Sequence, residues 1–87
     1  MTRIVLQVTD AHGGRIAEAS VYFLTGPVPL PDVAQLTNDD GEVRLAAPVP
    51  GTYRIGVRAG GFEPGEAVVE VQGDAEVAVG VALTPSP

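Results

Sequence analysis

Apolar and polar residues alternate along most of this chain with the period of a β-strand. In Ile4-Val5-Leu6-Gln7-Val8-Thr9, the side chains of Ile4, Leu6 and Val8 fall on one face, with Arg3, Gln7 and Thr9 among those opposite. Residues 19–25 repeat the pattern, with Val21 and Phe23 against Tyr22 and Leu24. A short strand is expected over 34–37, and Glu42-Val43-Arg44-Leu45 alternates cleanly. The clearest case sets Tyr53, Ile55, Val57 and Ala59 against Arg54, Gly56 and Arg58. Residues 67–71 predict a sixth strand and residues 76–83 a seventh, with Val77, Val79, Val81 and Leu83 against Ala78, Gly80 and Ala82. No window carries an apolar stripe at helical spacing. The pattern predicts an all-β fold, a seven-stranded antiparallel Greek-key sandwich, with residues 1–84 as one domain and 85–87 as a flexible tail.

Turn chemistry falls between these runs. Asp10-Ala11-His12-Gly13-Gly14 ends the first strand, with Asp10 and Gly13 shaping the turn. Asn38-Asp39-Asp40-Gly41 reads as a hairpin, because Asp40-Gly41 suits the positive φ of a tight turn. Pro48-Val49-Pro50-Gly51 precedes Tyr53. Pro27, Pro29 and Pro31 alternate with Val28 and Leu30, and a segment with so few amide donors is an extended loop outside any ladder.

Composition fits this picture and narrows the chemistry. The chain has 87 residues, enough for one thin-cored domain, and 45% of them are apolar. Its net charge is −6, from eleven carboxylates and five arginines, which argues against nucleic-acid binding. Cysteine is absent, excluding disulfides, thiolate metal sites and thiol nucleophiles. Lysine is absent too, consistent with high-GC coding in a bacterial source, and this excludes Schiff-base and isopeptide chemistry. No run is long enough for a membrane span or a signal peptide, so the expectation is a cytoplasmic protein or one exported without a cleaved signal.

Three segments together resemble a known family. They are Val8-Thr9-Asp10-Ala11-His12-Gly13 with Ile16-Ala17 and Ala19-Ser20-Val21; Thr37-Asn38-Asp39-Asp40-Gly41-Glu42-Val43-Arg44-Leu45; and Pro50-Gly51-Thr52-Tyr53-Arg54-Ile55 with Gly61-Phe62. In this order and spacing, over residues 8–71, they resemble the carboxypeptidase regulatory-like domain, a transthyretin-like (prealbumin-like) β-sandwich related in architecture to Ig-like domains. The sequence departs from the family pattern at Arg15, where proline is common, and at Glu18, where a small residue is. The resemblance implies a module that aids folding, spacing or binding in peptidases, receptors, surface proteins and secretion or phage-like spikes. Tyr53 is expected to bury its ring and bond its hydroxyl locally, as in a tyrosine corner, with Gly51 leading into the strand.

Candidate sites are few. His12 is the only histidine and shares a turn with Asp10, which reads as a solvated turn residue. Asn38, Asp39, Asp40 and Glu42 gather oxygen ligands of the kind Ca²⁺ takes, but without the spacing or distal Glu of an EF-hand they read as a turn, with Ca²⁺ binding there as the alternative; no other metal or cofactor is expected. Ser20 and Ser86 lie outside any nucleophile-elbow pattern, and the ureide hydrolases of transthyretin fold need histidines and a C-terminal Tyr-Arg-Gly-Ser that this chain lacks. Arg44, Arg54 and Arg58 are expected on outward faces, lining one sheet or pairing with nearby Glu. The expected function is a non-catalytic binding or adaptor module for a protein partner, within a larger secretion or spike-like assembly. The expected contacts are Pro27, Val28, Pro29, Leu30 and Pro31, whose stiff backbone loses little entropy on binding; Val28 and Leu30 folded back over the core are the alternative. A free sheet edge offers a second surface, for a partner strand or a homo-oligomer. The other functional reading, a carbohydrate- or small-ligand-binding accessory domain, lacks the aromatic platforms such sites present.

Overall fold

Most of the alternating runs become strands with one face turned into the core. A computed structural model describes residues 2–87. Among them are seven strands and no helix: β1 (Thr2–Thr9), β2 (Ser20–Thr25), β3 (Gln35–Leu36), β4 (Glu42–Ala47), β5 (Gly51–Arg58), β6 (Gly65–Val71) and β7 (Val77–Ala82). They form a three-stranded sheet in the order β4-β1-β7 and a four-stranded sheet in the order β3-β2-β5-β6. The sheets close over Ile4, Leu6 and Val8 of β1, Val21 of β2, Val43 and Leu45 of β4, Tyr53, Ile55 and Val57 of β5, and Val69 and Val71 of β6. Each such side chain contributes about 1.5–3 kcal/mol by leaving water, so these positions hold the sheets together.

The sheet is not antiparallel throughout. β1 pairs antiparallel with β4, Ile4 opposite Leu45, but parallel with β7, Leu6 opposite Val79. Antiparallel pairing is needed where a tight turn joins two neighbours, and no tight turn joins the first strand to the last. The Asn38–Gly41 segment also differs from the hairpin its sequence predicts. It closes locally, the Gly41 amide donating to the Asn38 carbonyl at 2.9 Å and the Asn38 amide to the Glu42 carbonyl at 2.9 Å. The strands it joins nevertheless part: β3 pairs with β2 in one sheet, and β4 with β1 in the other. Gly41, at φ +72°, presses against β1, and a Cβ there would lie 2.6 Å from the Val8 carbonyl oxygen. The turn is thus a crossing between sheets, anchored on β1.

Thr37 fastens the other side of this crossing. Its Oγ1 accepts from the Ala19 amide at 2.9 Å and donates to the Ile16 carbonyl at 2.7 Å. The same stretch holds Glu18 at φ +61°, where the family pattern has a small residue. At the C-terminus, where fraying is expected from sequence, the chain is hydrogen-bonded. The Glu63 amide donates to the Thr84 carbonyl at 2.8 Å, the Ser86 amide to the Gly61 carbonyl at 2.9 Å, and Phe62 bridges Pro85. Backbone groups of the 61–63 loop supply partners that a sequence-local reading does not reveal.

Candidate functional site

The turns hold most of the side chains singled out by sequence. Asp10 Oδ1 accepts from the amides of His12 and Gly14, both at 2.8 Å, and Gly13 sits at φ +81°. The Gly14 amide, and then that of His12, hold the Asp10 carboxyl below the usual carboxylate range. His12 is exposed on this turn. In the acidic turn, Asn38 Oδ1 accepts from the amides of Asp40 and Glu42 at 2.9 and 3.0 Å, while Asp40 lies 3.8 Å from Arg15. Among the described residues, no three His, Cys, Asp or Glu side chains converge as a metal-ligand set. Tyr53 is fully buried, and its hydroxyl donates to the Val49 carbonyl at 2.5 Å.

The proline loop is docked onto the sandwich. Pro27 packs on Gly51, where a Cβ would come within 2.8 Å of the proline ring. Leu30 folds back over Gly26, packing against the core beside the Tyr53 ring, and a Cβ on Gly26 would meet Leu30 Cδ1 at 2.5 Å. Val28 is half-buried, and Pro29 and Pro31 are exposed. Between this loop and the end of β2 runs an open cleft of about 290 Å³, lined by Phe23, Leu24, Thr25, Gly26, Val28, Pro29, Leu30, Pro31 and Asp32. A second hollow of about 400 Å³ lies by Thr2, Arg3, Arg44, Leu45, Ala46, Asp74 and Glu76.

The three arginines do not line one sheet. Arg44 is on β4 of the three-stranded sheet, whereas Arg54 and Arg58 are on β5 of the other. Period-two alternation places a side chain outward without saying which sheet its strand joins. Arg54 Nη2 contacts both carboxylate oxygens of Glu66 at 2.8 Å. Arg58 Nε donates to the Tyr22 hydroxyl at 3.2 Å and has no carboxylate within ion-pair distance among the described residues.

Tyr22 and Arg58 lie on the outer face of the four-stranded sheet; of the two, sequence reasoning singled out only Arg58, as an outward residue. The Tyr22 ring lies across Gly56, where a Cβ would fall 2.6 Å from Cε2. Register puts Leu36 opposite Ser20, Ser20 opposite Arg58, and Val68 opposite Arg54, so Leu36 and Val68 share this face. They are 61% and 66% exposed. Leu24, 44% exposed, is the extra residue where the β2–β5 register shifts, and it also lines the loop cleft. The signal available in sequence was a large apolar residue at an outward position.

The arrangement agrees with comparisons to known proteins. A search among curated proteins finds no match. Among solved structures, the C-terminal domain of the Caf1A usher aligns with a TM-score of 0.62 at 14% identity, over 98% of this chain and 99% of that one. In that protein, conserved hydrophobic clusters on the domain's surface are important for F1 antigen assembly. A DUF4876 family protein from Bacteroides thetaiotaomicron aligns with a TM-score of 0.58 at 13% identity, over 99% of this chain and 24% of that one. This chain thus spans about a quarter of that second protein, and at these identities the two likenesses establish the β-sandwich fold. The family model of the carboxypeptidase regulatory-like domain matches residues 3–84, and the chain belongs to that family.

Proposed function

We propose that this domain is a non-catalytic adaptor that holds a protein partner on the outer face of its four-stranded sheet, with the cleft beside Pro27, Val28, Pro29, Leu30 and Pro31 as an extension of that surface. The observation that carries this reading is the exposure of Leu36 and Val68 on one face, with Leu24 at its bulge leading into the cleft. Covering each of these side chains would contribute about 1–2 kcal/mol, enough to set the affinity of a modest interface. Arg58, at the end of β5 on the same row as Leu36, is bonded to Tyr22 and has no carboxylate within ion-pair distance among the described residues, so it adds a polar contact beside Leu36 and favours a partner presenting an acidic group there. The surface clusters that serve assembly in the Caf1A usher domain support the same kind of role, in a secretion-type or spike-like assembly.

The non-catalytic part of the reading rests on the side chains. There is no Cys and no Lys, and the one His sits on an exposed turn beside an Asp already bonded to two amides. The test is affinity capture followed by reconstitution with the purified partner. Leu36→Asp and Val68→Asp should each weaken binding about tenfold or more while leaving the fold intact, and Val28→Asp should weaken it less. Full affinity in both face variants would overturn the reading, and loss confined to Val28→Asp would move the site to the loop alone.

A further inference from the structure

The four sheet edges of this sandwich are not alike. β3 is two residues long, too short to template much. β4 carries Glu42 and Arg44, and β6 carries Glu66 and Glu70, the charged side chains that usually discourage edge pairing. β7 reads Val-Ala-Val-Gly-Val-Ala, with no charge and no proline, and its pairing with β1 runs in unbroken register. Among the described residues it pairs only with β1, so the backbone groups on its other side form an open template.

The packing around β7 is unfinished along part of its length. Val81 is buried, and Gly65 of β6 closes over that end, since a Cβ on Gly65 would meet Val81 Cγ1 at 3.2 Å and Leu83 Cδ2 at 2.5 Å. Val77 and Val79 point to the same core but stay half-buried. The outward positions hold only Ala78, Gly80 and Ala82, and nothing lies within 4 Å of where a Gly80 Cβ would be. A strand laid along this edge would cover Val77 and Val79 with its inward side chains and find a shallow shelf for its outward ones.

Charge decides between occupants. Asp74 and Glu76 precede β7, Glu76 lying 3.8 Å from Arg3, the backbone amide of Glu63 meets the Thr84 carbonyl just beyond it, and the whole domain carries −6. A second copy would bring the same acids against themselves, whereas a basic segment would be drawn in. We infer that the open edge of β7 is a strand-addition site for an extended segment of a partner protein that alternates apolar residues with Lys or Arg. This goes beyond the outer-face reading and uses no residue of that face.

The experiment uses the full chain, labelled for NMR, and a capped peptide of about nine residues alternating Val with Lys, a length typical of a paired strand. The expected result is shifts and slowed amide exchange confined to residues 76–82 and the facing parts of β1 and β6. Affinity should fall as salt rises from about 50 to about 300 mM. A Val–Glu peptide of equal length should bind about tenfold more weakly or worse. Ala78→Lys, at an exposed position that leaves the core untouched, should weaken the Val–Lys peptide about tenfold, and Leu36→Asp should leave it unchanged. Equal binding of the two peptides would overturn the inference, as would shifts mapping to Tyr22 and Leu36. So would a dimer in light scattering that Ala78→Lys returns to a monomer, which would make a second copy the occupant.

Discussion

The Tyr53 hydroxyl gives its hydrogen to the Val49 carbonyl 2.5 Å away, across the turn that carries the chain from the three-stranded sheet to the four-stranded one. The ring is fully buried and tilted against Phe23, with centroids 5.5 Å apart. The bond therefore ties a crossing loop to the centre of the core. Tyr53→Phe keeps the ring and removes the bond, leaving a part-buried carbonyl without that donor. The expected cost is about 1–2 kcal/mol, read as a lower urea midpoint with an unchanged slope.

Gly41 and Gly61 both have positive φ, +72° and +83°, but only one is crowded. A Cβ on Gly41 would meet the Val8 carbonyl oxygen at 2.6 Å, an atom held within β1, whereas Gly61 has nothing within 4 Å. Gly61→Ala should cost about 1 kcal/mol from backbone strain alone. Gly41→Ala should cost about 2–4 kcal/mol, because the crossing must also pull away from β1. Equal losses in thermal unfolding would show that the contact at Val8 relaxes freely.

Glu18 adopts φ +61° on an exposed stretch, while its amide donates to the Thr37 carbonyl at 3.0 Å. Glycine removes the Cβ strain but adds freedom to the unfolded chain. The balance predicts that Glu18→Gly stabilises by about 0.5–1 kcal/mol, a rise in Tm of about 3–6 °C for a domain of this size. Glu18→Ala should give no such gain, since it keeps the Cβ.

Asp10 has a pH signature of known sign. Its folded-state carboxyl is held below the ordinary value by the Gly14 and His12 amides. The ionised form is thus favoured by folding, and its contribution is present above the unfolded pKa of about 3.9. It is lost as pH falls from there through the folded value. Thermal midpoints taken from neutral pH down to about pH 2 should decline in wild type, with part of that decline missing in Asp10→Asn, which keeps an acceptor oxygen in the turn.

How far the sequence reaches can be judged strand by strand. In β1, β4 and β5 the alternation identifies Ile4, Leu6, Val43, Leu45, Tyr53, Ile55 and Val57, and all are buried, because a single buried face imposes its period on the strand. Asp-Gly and Pro-Gly pairs likewise mark where the chain turns, since the demand for positive φ or a fixed proline is local. Period two specifies a face and never a neighbour. The parallel pairing of β1 with β7, the parting of β3 from β4 and the bonding of Ser86 to Gly61 all join residues remote in sequence or separate adjacent ones, and no local preference encodes them. The outer face follows from those pairings: Leu36 and Val68 become parts of one surface only because β3, β2, β5 and β6 lie side by side. Backbone conformation and inward-facing residues were decided within each strand, while the surfaces available to a partner were decided by long-range registers, which set what lies beside each outward side chain and which edge stays open.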